Sequence, residues 1–440
     1  MVSAFLNAFR TPDLRKKILF TLFILVVFRL GSTIPTPNVN TAAIRTCAEG
    51  ALAPGGSSQA GLYSMINMFS GGALLHLSIF ALGIMPYITS SIIMQLLAVV
   101  IPRLETLKKE GGAGQQKITQ WTRGVTIILA LLQATSFTML AVNRQLFTTC
   151  NEQVVYSSGI FPIVVMVLTM TAGTSIIMWL GELITDRGVG NGMSVLIFTQ
   201  IAARFPSSMW NIRNGHPDPN QGLLVMILVV LVGLFVMAGV VFVEQAQRRI
   251  PVQYAKRMVG NRLLGGSSTY IPLKVNQSGV IPVIFASSIL YLPVLITIFK
   301  PTGKISEWIA ANLATGTGLY YNIVFFLLII AFAYFYVSIT FDPVEISDNM
   351  KKYGGFIPGI RAGKPTEDYL GFVLSRLTAP GSLYLAIISL IPSVAILLFN
   401  ADQHFPFGGT SLLIMVGVGL DTVKQIESQL HQRHYEGFLK

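Results

Sequence analysis

LLVMILVVLVGLFVMAGVVFV, residues 223–243, carries no charged or polar side chain, and its length matches the roughly 20 residues a helix needs to cross a bilayer core. The pattern recurs. Working outward, further apolar stretches fall at residues 18–34, 74–101, 125–142, 160–183, 193–205, 280–299, 319–341, 383–399 and 412–426. Of the 440 residues, 52% are hydrophobic and only 11% charged, and the mean hydropathy is +0.63, which excludes an ordinary soluble globular protein. The reading is an all-α polytopic membrane protein with ten transmembrane helices, the fifth and tenth short.

One ionisable residue, Arg29, lies well inside a span, in the outer third of span 1 where it can snorkel toward the interface. Glu182, Glu244 and Asp421 fall at cytoplasmic span ends, close to water. A pump or ion-coupled carrier needs acids, bases or paired charges at membrane depth, because a buried charge is costly and is kept only where it works. This core is neutral, so a secondary transporter fits poorly. Catalysis fits no better: no nucleophile with a base and no ligand set faces across the spans. The run GIRAGKPT has the wrong glycine spacing for a phosphate loop, with Pro365 where Ser or Thr is required. His76, His216, His404, His431 and His434 are scattered, so no metal site, cofactor or enzymatic activity is expected.

Of the 31 Lys and Arg residues, 24 lie in the N-terminus, the loops after spans 2, 4, 6 and 8, and the C-terminal tail. Six, namely Arg45, Arg144, Arg204, Arg213, Lys300 and Lys304, lie in the opposite loops. The positive-inside rule then puts both termini in the cytoplasm, in agreement with an even number of spans. Arg15, Lys16 and Lys17 lead into a first span whose end lacks a small-x-small cleavage pattern, so that span is expected to remain. Cys47 and Cys150 fall in external loops, either as a disulfide or as two loop thiols. The net charge of +12 points to acidic partners or anionic lipid where it clusters.

A linker at 211–222, opening NIRNGHPDPNQ, divides an N-terminal half (1–210) from a C-terminal half (223–440) with five spans each. An odd number per half forces opposite orientations, the arrangement of an inverted repeat hinged on the outer face. Between spans 1 and 2, CAEGALAPGGSSQAG leads into LYSMINMFS (62–70) and then Gly71 and Gly72. That segment is too short and polar to cross; it is either a buried half-helix or an amphipathic outer loop.

Two cytoplasmic loops, 244–276 and 342–380, mix charge with apolar anchors. The first sets Arg248, Arg249, Lys256, Arg257 and Arg262 around an extended Ile-Pro-Val-Gln-Tyr centre ending at Tyr254. In the second, Gly and Pro of GGFIPGIRAGKP enforce turns that project Arg361, with Phe356 and Ile360 nearby. Thr366, Glu367 and Asp368 read as a helix start. Leu370, Val373 and Leu377 give that helix an apolar face for the membrane interface, before Pro380 and Gly381 break it. These loops read as lipid attraction or as a docking surface for an acidic ribosome or a cytosolic motor.

The strings NMFSGGALLHLSIFALGIMPYITSSIIMQLL, GVGNGMSVLIF, RRIPVQYAKR, KVNQSGVIPVIFASS, DNMKKYGGFIPGIRAGKPT and GGTSLLIMVGV closely resemble, in order, the SecY family of protein-conducting channels. The resemblance implies a clamshell of two inverted, pseudo-symmetric halves around a central pore. It implies a pore ring of Ile84, Ile88, Met193, Ile197, Ile284 and Ile414, with Met where the family usually has another aliphatic residue. It also implies a plug over Leu62, Tyr63, Met65, Ile66, Asn67, Met68 and Phe69 with a hinge at Gly71 and Gly72. A lateral gate is implied between spans 2 and 3 on one side and 7 and 8 on the other, with Thr89, Gln133 and Asn276 as its polar groups. Docking of the SecA ATPase or the ribosome is implied at Arg248, Arg249, Tyr254, Lys256, Arg257 and Arg361. The small membrane subunits SecE and SecG are implied partners, and a secretory preprotein with its signal peptide is the implied cargo at a bacterial plasma membrane. The spacing agrees with the ring: Ile84 and Ile88, like Met193 and Ile197, are one helical turn apart on a shared face.

Overall fold

The computed structural model describes residues 11–44, 73–74, 76–142, 154–214, 219–254, 257–259, 262–264, 268–299, 303–304, 308–309, 312–313, 318–399 and 409–436. Each of the ten apolar stretches falls on a helix in whole or in part. In chain order the elements are α1 (Pro12–Gly31), α2 (Met85–Val100), α3 (Pro102–Lys109), α4 (Gly112–Val142), α5 (Ile160–Arg187), α6 (Gly192–Asn214) and α7 (Pro219–Gln245). Strands β1 (Gln247–Tyr254), β2 (Arg257–Val259), β3 (Arg262–Leu264) and β4 (Ser268–Lys274) follow. The chain then forms α8 (Ile281–Phe299), α9 (Leu319–Thr340), α10 (Pro343–Lys352), β5 (Gly355–Phe356), α11 (Lys364–Phe399) and α12 (Gly409–Glu436). Long helices α4, α5, α7, α9 and α11 are apolar and long enough to cross a membrane individually.

Helix α9 shows how sequence sets packing. Tyr321, Phe325, Ile329, Ala333 and Val337 recur every four residues and are buried, whereas Leu319, Tyr320, Ile323 and Leu327 on the other side are exposed. The buried stripe packs on α8 and α11. Exposed faces as apolar as those of α7, with Phe235 82% and Phe242 78% accessible, match a lipid solvent rather than water. Arg29 is exposed in the last turn of α1, where a long side chain can reach an interface.

Apolar clusters divide along the chain. One binds the C-terminal half of α4 and the N-terminal half of α5 to the turns around Leu77, and another binds α8, α9, α11 and α12 through Val283, Ile329, Leu385 and Leu413. The two sets of helices also meet in smaller clusters: Phe205 and Met209 of α6 pack with Val229 of α7 and Leu412 of α12. Leu14 and Ile18 of α1 pack with Ile426 and Leu430 of α12.

Two elements differ from the sequence reading. Span 2 is helical only from Met85, and its first part folds as turns, with Leu77 at φ 41° and Gly83 at φ 58°. The turns are tied to the chain beyond α1: Ile79 N donates to Ile34 O at 2.9 Å, and Thr36 N to Leu77 O at 2.9 Å. Backbone groups satisfied in this way do not need a helix to be buried. Gly173 of α5 permits that packing, since a Cβ there would lie 2.0 Å from Ile79 O. Gly173→Ala is therefore expected to cost about 1–3 kcal/mol. The effect would register as a lower unfolding temperature in detergent, and an unchanged one would contradict this packing.

The second difference is α11, which runs unbroken through Pro380 and Gly381. Gly381 lies so close to the Val275 carbonyl that a Cβ would sit 2.5 Å from its oxygen, so this glycine serves packing rather than a break. The apolar face of α11 also departs from the interface role read from its sequence. Leu370, Val373 and Leu374 are buried against Ile250, Val252 and Leu273 of the loop sheet, together with Val337 and Met350. A strand pair with one apolar face needs a partner for it, and α11 supplies that cover.

Candidate functional site

Residues of six helices or their ends converge at the centre of the bundle. Ile84, Ile197 and Ile414 are buried at 1%, 6% and 1% exposure in one apolar cluster, and the partly buried Ile88, Met193 and Ile284 pack against it. All six ring positions read from the sequence are thus brought together. Ile84 caps the start of α2, and Ile88 N donates to its carbonyl at 3.1 Å, which sets the two on one face. Met193 and Ile197 extend from α6, Ile284 from α8 and Ile414 from α12. Ile24 and Phe28 of α1 and Ile177 of α5 belong to the same cluster.

Sequence reasoning missed how α5 admits the methionine. A Cβ on Gly181 would lie 2.5 Å from Met193 Sδ, and one on Gly192 would lie 1.8 Å from Gly181 O, so two glycines let α5 and α6 approach and leave a seat for the longer side chain. The spacing GVGNG hinted at close approach without naming the partner. Buried Gln200, three residues after Ile197, has an amide nitrogen without a hydrogen-bond partner in the structure.

Along one side, α8 touches both α2 and α4. Thr89 of α2 is 8% exposed and donates to Met85 O at 2.9 Å, within its own helix. Gln133 of α4 is 6% exposed. Asn276 is 2% exposed in the turn before α8, where its amide donates to Glu244 of α7. Among the described residues, no hydrogen bond joins these three side chains to one another.

The two basic loops form a single platform. β1 pairs antiparallel with β4 over Gln247↔Lys274 to Gln253↔Ser268, and its end pairs with β5 of the second loop through Gln253↔Phe356 and Tyr254↔Gly355. Ile250 and Val252 point into the cluster over α11, while Arg248 and Arg249 are exposed. The Arg249 guanidinium stacks 4.8 Å from the centre of the Tyr270 ring. Tyr254 packs beside Gly355, where a Cβ would lie 3.0 Å from its ring. Arg257 opens the β2–β3 hairpin. Lys256 lies outside the described residues, as do the plug positions Leu62 to Phe69, Gly71 and Gly72, and Cys47 and Cys150.

Arg361 is exposed on a turn whose backbone is fixed from below. Thr366 Oγ1 donates to Arg361 O at 2.8 Å, Ser347 Oγ donates to Gly363 O at 2.8 Å, and Asp342 caps α10 through Val344 N at 2.9 Å. Gly359 and Gly363, at φ 84° and 105°, supply conformations that other residues rarely adopt. Thr366→Val removes one of these bonds, worth about 1 kcal/mol. Amide exchange over 357–366 is expected to speed up roughly fivefold by that amount, and unchanged exchange would contradict the anchoring role.

These features define a polytopic all-α membrane protein of channel architecture, with a neutral apolar centre, a lateral helix seam and one basic platform. The chain belongs to the SecY family: the family model described as SecY matches residues 78–423. The protein translocase subunit SecY of Streptomyces coelicolor is 60% identical over 100% of both chains, and that of Mycobacterium bovis is 56% identical over 100% of both. Among solved structures, one described as the structure of a protein conducting channel covers 94% of this chain and 92% of its own, with TM-score 0.62 and 19% identity. Sec61 in a canine ribosome–channel complex from the endoplasmic reticulum gives a TM-score of 0.57 at 17% identity, covering 94% and 92%. Both share the fold.

Proposed function

We propose that this chain is the channel subunit of a protein translocase, through which an unfolded secretory preprotein threads the ring of Ile84, Ile88, Met193, Ile197, Ile284 and Ile414. The carrying observation is that these six apolar side chains, drawn from both sets of helices, meet in one cluster. A bulky apolar constriction sheds water and blocks ions when empty, and it deforms around a passing chain without holding it. Met193 suits that role, being flexible and apolar.

Hydrophobic segments and the signal peptide leave sideways between α2 with α4 and α8 with α9, and Thr89, Gln133 and Asn276 bias that seam. The segment 62–70 acts as the plug, and the halves 1–210 and 223–440 hinge at the 211–222 linker. The chain performs no catalysis itself. Work comes from the SecA ATPase or the translating ribosome docked on the platform that carries Arg248, Arg249, Tyr254 and Arg361, with Lys256 and Arg257 of the same loop sequence taking part. SecE and SecG complete the membrane complex, anionic lipid meets the basic loops, and both termini face the cytoplasm of a bacterial plasma membrane. Reconstitution with SecE and SecA in vesicles is expected to give ATP-dependent protection of a signal-bearing substrate from added protease. A lack of protection with active SecA would contradict this reading.

A further inference from the structure

One buried carboxylate belongs neither to the constriction nor to the exposed platform. Glu244, at the end of α7, is 8% exposed, and Asn276 beneath the platform is 2% exposed. Asn276 Nδ2 donates to Glu244 Oε1 at 2.5 Å and to Gly279 O at 3.1 Å, and its Oδ1 accepts from Ser278 Oγ at 3.0 Å. The surrounding backbone is held as closely. Val275 N donates to Ala246 O at 3.0 Å, and Lys274 N donates to Gln277 Oε1 at 3.1 Å. Lys274 Nζ lies 3.8 Å from Asp421 of α12, and α11 presses on the Val275 carbonyl through Gly381.

Position gives this junction its meaning. β1 starts at Gln247 just beyond Glu244, β4 ends at Lys274 just before Asn276, and α8 starts at Ile281 immediately afterwards. The two strands that carry the platform and the helix that closes the seam therefore leave from one buried knot. A hydrogen bond between two groups buried from water is costly to break, because removing one partner strands the other without water. A turn knotted in this way transmits displacement that a loose one would absorb, because coupling travels through rigid elements and hydrogen-bond networks.

We propose that Glu244 is a positioning residue for gating: its bond to Asn276 makes the β1–β4 ribbon and the start of α8 one lever, so that a load on the platform parts α8 from α2 and α4. This rests on the platform and seam roles proposed above. Glu244 touches no substrate and acts through Asn276.

The test uses the full chain reconstituted with SecE in vesicles, with Gln95→Cys on α2 and Ile289→Cys on α8 carrying spin labels. Their separation is measured with and without SecA and a non-hydrolysable ATP analogue, and SecA affinity is titrated on the same samples. In the otherwise unchanged chain, docking is expected to lengthen the separation. Glu244→Leu is expected to hold SecA within about twofold of that affinity yet to lose the lengthening, with translocation down about tenfold. Glu244→Gln keeps an accepting oxygen and is expected to retain most of the response.

A second pair guards against a folding defect. Asn276→Asp alone sets two carboxylates together and is expected to lose the response, whereas Glu244→Gln with Asn276→Asp restores a donor and an acceptor and is expected to recover it in part. Lengthening in Glu244→Leu equal to that of the unchanged chain would overturn the proposal alone, as would equal loss in Glu244→Gln and Glu244→Leu. No lengthening in the unchanged chain despite SecA binding would overturn the seam reading and this proposal together.

Discussion

Arg361→Glu is expected to cut SecA-driven translocation by about a hundredfold, which corresponds to ~2.7 kcal/mol of lost docking or transition energy. The size follows from where the residue stands. Its side chain is exposed, while the backbone beneath it is tied to Thr366 and, through Gly363, to Ser347. Little folding energy is at stake, so thermal stability is expected to stay within about 0.5 kcal/mol of the unchanged protein. What changes is the sign of charge at the tip of a platform whose other exposed cations include Arg248, Arg249, Lys351, Lys352 and Lys364. An acidic partner surface that gains from arginine is repelled by a carboxylate, and like-charge juxtaposition costs more than simple loss of a contact. Arg361→Lys keeps the charge but loses the planar fork, so an intermediate, several-fold loss is expected. The measurement is ATP-driven uptake of a signal-bearing substrate into vesicles, alongside a SecA titration. Full activity in Arg361→Glu would remove the docking role from this turn.

Ile84→Asp and Ile284→Asp are each expected to raise the resting ion leak of reconstituted vesicles by about two orders of magnitude. Ile84 is 1% exposed, and Ile284 packs on the same cluster. A carboxylate there is set among apolar side chains, and leaving it unsolvated would cost several kcal/mol. Water drawn in to solvate it relieves the cost and wets the constriction. Ile84→Val, which keeps the surface apolar, is expected to change the leak little and stability by about 1 kcal/mol. Ion flux across vesicles separates these variants. A dry, tight channel in both aspartate variants would contradict the seal.

The fold was largely legible because its strongest signals are local. Charge-free stretches such as 223–243 mark spans directly. Reading failed where tertiary contacts decide. The segment before Met85 is as apolar as the helix after it, yet it folds as turns because Ile34 and Thr36 offer hydrogen-bonding partners that no sequence window contains. Pro380 and Gly381 look like a helix break, but Gly381 instead admits the backbone at Val275.

The site divides in the same manner. The ring positions could be placed only through family likeness, since an isoleucine on a helix face looks the same in a seal as in any core. Their convergence from α2, α6, α8 and α12 is a property of the packed bundle. Likewise the two basic loops read as separate, and the pairing of Tyr254 with Gly355 that joins them spans about a hundred residues of chain, beyond the reach of turn chemistry. Glu244 looked interfacial because it ends a span. Burial against Asn276 became visible only with β4 in place.

The most direct measurement of the central claim is a crosslink map of a stalled polypeptide. A secretory chain arrested midway by a folded C-terminal domain, with a single cysteine placed along it, is offered to channels bearing Ile84→Cys or Ile284→Cys in the presence of SecE, SecA and ATP. The account expects disulfides at both ring positions, formed only with ATP and only for the stretch of chain at mid-membrane. A substrate that becomes protected from protease yet never crosslinks to either position would contradict the claim that it passes through this apolar ring.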